Sequence, residues 1–190
     1  MEVARGEASP EFSMLSSLTR WPALTHSAVL GAVRAGGVIA AIYAFLYVFL
    51  PATGIEPIAR LNLALASLSA MLMNTLGLEV TQSGTLLTLR GASVVVTDEC
   101  NGMGAWLLIA GAMGAVSGAA WQLRILGMAA SALAVTAVNI TRIVTLCYLQ
   151  AERPMWFAPV HEQIAPLFVV LAAAACFAVW LRGLEYADPR

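Results

Sequence analysis

The stretch ILGMAASALAVTAVNITRIVTLCYL, residues 125–149, is apolar over its whole length except for one charge, Arg142. A helix needs about 20 such residues to cross the hydrocarbon layer, so this segment reads as a membrane span with a cation set inside it. The composition agrees. Hydrophobic residues make up 60% of the chain and charged residues 11%, where a soluble domain carries about 25%. Most of the surface therefore faces lipid. The net charge of −1 offers no basic field for a nucleic acid.

Three further spans are expected: Arg34 to Leu50, stopping at Pro51; Asn101 to Ala120; and Ile164 to Leu181. Within the second of these, Gly114 and Gly118 form a GxxxG pair that lets helices approach closely. Pro57 to Leu76 is interrupted by Arg60, Asn62, Ser67, Ser69 and Asn74, a pattern that suits a helix lying along the membrane surface, with a fifth crossing as the alternative. Leu78 to Asp98 is rich in β-branched residues and punctuated by Gly84 and Gly91, and reads as a β-hairpin. Bare strand edges are not tolerated in lipid, so the hairpin belongs outside the bilayer. The expected fold is mainly α: a polytopic bundle of four spans, or five, with a short extracytoplasmic hairpin and an interfacial helix. Residues 1–33 read as a polar cytoplasmic segment, with a cloning scar to residue 13 and Met14 as the natural start. Residues 34–183 form the membrane domain, and 184–190 a polar tail.

Counting crossings brings three reactive side chains to one face. Cys100 opens the second span on the hairpin side, Arg142 returns toward that side near the end of the third, and His161 stands in the loop before the fourth. If Arg124 and Arg182 mark the cytoplasm, that face is extracytoplasmic. Arg142 is expected about six residues, or about 9 Å, inside the end of its span. A cation at that depth faces a polar cavity or a partner, or snorkels to the headgroups. Backbone N–H groups at a helix start favour a thiolate at Cys100, while Asp98 and Glu99 oppose it. An imidazole such as His161 shuttles protons near neutral pH.

Other motifs fail. His161-Glu162 opens an HExxH, but Ala165 stands at the second histidine position. Ala115-Val-Ser-Gly118 lacks the first glycine of a GxSG serine motif. Cys147 and Cys176 sit in apolar runs as packing residues, and with no CxxC pair no metal site and no cofactor is expected. The tryptophans, Trp21, Trp106, Trp121, Trp156 and Trp180, read as interface anchors.

Asp98-Glu-Cys-Asn-Gly-Met103, then Asn139-Ile-Thr-Arg-Ile143, then His161-Glu162 together resemble the exosortase/archaeosortase family over about Val38 to Arg182, most closely the short exosortase H type. The resemblance implies a membrane-embedded cysteine protease/transpeptidase of the inner (plasma) membrane with its active site outside. Its substrates would be secreted proteins with a C-terminal tail of motif, helix and basic cluster, transferred to an unidentified acceptor nucleophile. It implies Cys100, Arg142 and His161 as catalytic residues, with Asn139, Asn101, Gly102 and Glu99 binding substrate or orienting the site. The competing expectation is a non-catalytic membrane assembly or transport subunit that uses Arg142 and His161 in a polar path.

Overall fold

The computed structural model describes residues 26–187, with side chains from 28 to 184. Helix α1 (His26–Ala44) continues through a π-helical turn (Phe45–Phe49) into a last turn, Leu50–Ala52. Residues 26–33 are thus already helical, and the polar N-terminal segment is shorter than expected. The scar and Trp21 lie outside the described residues. Pro51 brings no N–H, and its ring crowds the carbonyl four residues back. The chain widens into the π turn just before it.

Helix α2 (Pro57–Thr75) starts on a proline whose missing N–H costs nothing at that position. It buries Ile58, Asn62, Leu65, Ala66, Ser69, Ala70 and Met73 along one stripe, while Leu63, Leu68, Met71 and Leu72 stay exposed. Three stretches are long and apolar enough to cross a membrane, Ala28–Ala52, Trp121–Glu152 and Pro154–Leu184, and α2 is not among them. Its two apolar sides suit a helix that lies flat, one side on protein and the other on lipid.

The expected hairpin is a three-stranded antiparallel meander, β1 (Val80–Ser83), β2 (Leu86–Leu89) and β3 (Ala92–Val95). Arg90 and Gly91 both have positive φ, 51° and 84°, and close β2 onto β3 in two residues, the geometry of a type I′ turn. The turn between Leu89 and Ala92 is the one the hairpin reading placed; the turn it left unresolved is Gly84-Thr85, which splits Val80–Leu89 into β1 and β2. Arg90 also pairs with Glu152 at the far end of helix α4 (Trp121–Glu152).

Two cores are threaded by α4. Ile143 and Cys147 join Leu65, Ala66, Ala70 and Met73 of α2 and Val80, Leu87, Leu89 and Val96 of the sheet region. Nearer its N-terminus, Val135 joins Ile109 and Met113 of helix α3 (Met103–Ala115) and Val169 and Ala173 of helix α6 (Ala165–Ala187). The α4 helix is about 48 Å long at 1.5 Å per residue, well beyond the roughly 30 Å hydrocarbon layer. The sheet packs on α4 from Ile143 onward, one residue past Arg142. From Trp121 to Arg142 is about 32 Å, which matches one crossing.

The second expected span is shorter than Asn101–Ala120. Only Met103–Ala115 is helical, and it ends in an extended Val116 and a Gly118 at φ 85°. Backbone carbonyls at that end need donors. Arg124 supplies them, with Nη1 donating to Gly114 O (3.4 Å) and Nη2 to Val116 O (2.7 Å). The expected GxxxG contact is also revised. A Cβ at Gly118 would meet open space, whereas one at Gly111 or Gly114 would lie 2.6 Å from Ile39 or Val38 of α1. Close approach uses that pair instead. Two tryptophans serve as helix ties rather than interface anchors. Trp106 Nε1 donates to Met128 O (2.9 Å) and Trp180 Nε1 to Leu123 O (2.8 Å), while Trp121 and Trp156 remain exposed.

Candidate active site

Cys100 closes a single 3₁₀ turn, Asp98–Cys100, whose backbone N–H donates to Thr97 O (2.9 Å). Two residues, Asn101 and Gly102, separate it from α3. The expected position at the opening of a helix is therefore corrected: the first helical N–H, that of Met103, is taken by Asn101 Oδ1 at 2.9 Å. Gly102 has φ 76°, and a Cβ there would press to 3.1 Å from Val135 Cγ1. A left-handed residue pressed against a helix has to be glycine, so Gly102 shapes the loop.

The loop is tied on several sides. Asn139 of α4, fully buried, donates from Nδ2 to Cys100 O at 2.6 Å. Asn139 thus holds the backbone of Cys100, while its own Oδ1 is buried with no partner among the described residues. On α2, Asn62 donates from Nδ2 to Asp98 Oδ1 at 2.5 Å and accepts from Asn101 Nδ2 at 3.1 Å. Glu99 is exposed and makes none of these bonds. Asn62 was legible only as a polar break in a surface helix. Its place on the buried stripe between Ile58 and Leu65 was the signal that it faces protein.

Arg142 lies one turn beyond Asn139 on α4, about 4.5 Å further along the axis. Its Nε is buried and has no hydrogen-bond partner among the described residues. A short helix α5 (Pro154–Pro159) follows α4 and runs into a second π turn, Val160–Ile164, which carries His161. Pro166 stands two residues past the end of this π turn, as Pro51 does past the first, so each widened turn precedes a proline that lacks the N–H. His161 stacks on Phe157 (centroids 5.4 Å apart, planes 13° apart), and its Nδ1 is buried without a partner. Arg142 and the His161 turn meet around one cavity of about 340 Å³, lined by Val138, Thr141, Arg142 and Thr145 of α4 and by Val160, Ile164, Ala165 and Phe168.

The three residues thus collect at one end of the bundle. Asn139 fixes Cys100 to α4 at that level, and Arg142 and the His161 turn share a cavity one turn further along. Cys100 is only 9% exposed and is not among the residues that line the Arg142 cavity. Cys147 and Cys176 lie elsewhere, the first within the sheet-side core.

A family model described as transmembrane exosortase (Exosortase_EpsH) matches residues 6–180. The chain belongs to the transmembrane exosortase family. No curated protein and no solved structure matches it. As an exosortase with three long apolar helical stretches and a shorter fourth helix, it is a multi-pass membrane protein. The family acts in membrane protein sorting and is generally one of cysteine transpeptidases.

Proposed function

We propose that this exosortase cleaves the C-terminal sorting signals of secreted proteins and transfers the new C-terminus to an acceptor nucleophile, with Cys100 as nucleophile. The observation that carries this reading is the bond from Asn139 to Cys100 O, which holds the cysteine's loop against α4 one turn from Arg142 and the cavity it shares with the His161 turn.

In the proposed sequence the Cys100 thiolate attacks the scissile carbonyl, and the C–S bond forms as the carbonyl π pair moves to oxygen. Arg142 donates hydrogen bonds to that oxyanion. The C–N bond then breaks, His161 gives its proton to the departing amine, and a thioester remains on Cys100. The acceptor, losing a proton to His161, attacks the thioester; the C–S bond breaks, and the Cys100 thiolate and protonated His161 are restored. No metal or redox partner is needed to balance these steps.

The sheet fits the presentation of an extended recognition motif. Val96 N–H donates to Thr85 O (3.0 Å), so by strand alternation Ala92 and Val94 also turn their backbone groups toward β2, and Ser93 and Val95 turn theirs outward. The opposite edge is closed at Val80, whose N–H donates to Asn74 Oδ1 (2.8 Å) and whose carbonyl accepts from Asn74 Nδ2 (3.3 Å). The outer edge of β3 is therefore the one available for strand addition, and the chain runs from it straight into the Cys100 turn. We place this face outside the plasma membrane, with Arg124 and Arg182 toward the cytoplasm.

The test is co-expression of a tailed substrate with a Cys147→Ala/Cys176→Ala variant, followed by gel mobility. The expected result is a processed product that disappears when membranes are first treated with a small thiol-alkylating reagent. Processing that survives complete alkylation would remove Cys100 from the chemistry.

A further inference from the structure

We infer that Asn62 is a positioning residue for the nucleophile, so that the interfacial helix α2 forms part of the catalytic apparatus. The inference rests on the assignment of Cys100 as nucleophile. The motif residues that carry the family resemblance come from the Cys100 loop, from α4 and from the His161 turn; none comes from α2.

Asn62 is 6% exposed, and both polar ends of its amide are used. Its Nδ2 donates to Asp98 Oδ1, two residues before the cysteine, and its Oδ1 accepts from Asn101 Nδ2, one residue after it. Asn101 in turn uses its own Oδ1 to hold the Met103 N–H at the start of α3. A single amide thus clamps the loop on both sides of Cys100, while Asn139 holds the cysteine's carbonyl from α4. The loop needs such ties. It is a 3₁₀ turn followed by a left-handed glycine, with no strand ladder to fix it, and a catalytic group displaced by about 1 Å can lose about 10²-fold in rate. One of the bonds goes to a carboxylate, and charge-assisted bonds are roughly twice as strong as neutral ones.

The geometry also makes the clamp reversible in polarity. Asn62→Asp places a second carboxylate against Asp98 and removes the donor. Adding Asp98→Asn restores the pair with donor and acceptor exchanged, and an aspartate at 62 still accepts from Asn101. The swap therefore rebuilds every bond of the clamp, which no general effect of either substitution would do.

The experiment uses full-length protein in detergent, in the Cys147→Ala/Cys176→Ala background, with iodoacetamide as probe of Cys100. Alkylation is expected to speed up about tenfold or more in Asn62→Ala and Asn62→Asp, the factor that loss of a hydrogen bond to a charged group corresponds to, and to return to the parent rate in Asn62→Asp/Asp98→Asn. Processing of a co-expressed tailed substrate should fall by a similar factor in the single variants and recover in the swap. Alkylation within twofold of the parent in Asn62→Ala, or a swap no better than Asn62→Asp, would overturn the assignment. Because alkylation needs no substrate, it judges the clamp even if no processing occurs in the parent. That second result would instead defeat the transpeptidase reading.

Discussion

Cys100→Ala is expected to reduce processing of a tailed substrate to the level seen without enzyme, while the protein still inserts and unfolds at a temperature close to that of the parent. The side chain is small, and what fixes this loop is the Cys100 carbonyl, the Asn101 amide and the Gly102 backbone, none of which the substitution removes. Cys100→Ser should be nearly as inactive, since a hydroxyl is a weak nucleophile without an adjacent general base to activate it. Gel mobility of the substrate and a melting curve of the purified variant check the two halves of the statement. A non-catalytic assembly or transport subunit would tolerate either change, so retained function in Cys100→Ala would favour that alternative.

Arg142→Ala is the second large effect. If the guanidinium carries the oxyanion, its removal should slow processing by about 10²–10³-fold, as loss of one such donor typically does. Its environment gives the reason. Arg142 lines the cavity with Thr141 and Thr145, no carboxylate pairs with it among the described residues, and its Nε is buried and unbonded. Such a side chain is not satisfied by the fold itself and has donors to spare for a reacting group. Arg142→Lys should recover only part of the rate, because an ammonium supplies a point charge but not the planar fork of donors. Single-turnover processing rates separate this outcome from a snorkelling role, for which lysine and arginine would serve about equally.

The membrane class was legible because lipid imposes a simple rule on composition: long apolar runs, few charges, and strands kept out of the hydrocarbon. The interfacial helix was legible for the same reason, from polar residues recurring at Arg60, Asn62, Ser67 and Ser69. What hydropathy could not show is what each apolar residue packs against. Ile143 and Cys147 face the core formed with α2 and the sheet, and a hydropathy pattern cannot tell a residue that meets lipid from one that meets protein. The length of α3 was misread in the same way, since Val116 to Ala120 is apolar but not helical.

At the site, the order of Cys100, Arg142 and His161 along the chain, with two crossings between the first pair and none between the second, was enough to send them to one end of the bundle. The hydrogen bonds that hold the cysteine were not legible, because they join residues 36 to 39 apart in sequence: Asn62 to Asp98 and Asn101, and Asn139 to Cys100. An asparagine on a buried helix stripe announces that it needs a partner but not which one. The two π turns were likewise hidden. They stand just ahead of Pro51 and Pro166; sequence reading took Pro51 as the end of a helix, and the chain instead absorbs it.

The account stands most directly on the acyl-enzyme. His161 is needed both to expel the amine and to activate the acceptor, so the thioester is sought in the parent enzyme, trapped by rapid acid quenching. Mass spectrometry of that protein, purified after co-expression with a tailed substrate, should find the Cys100 peptide heavier by the mass of the new C-terminal peptide of the processed substrate, and the adduct should be released by hydroxylamine. Processed substrate accumulating while the Cys100 peptide stays unmodified, or the adduct found on Cys147 or Cys176, would contradict it.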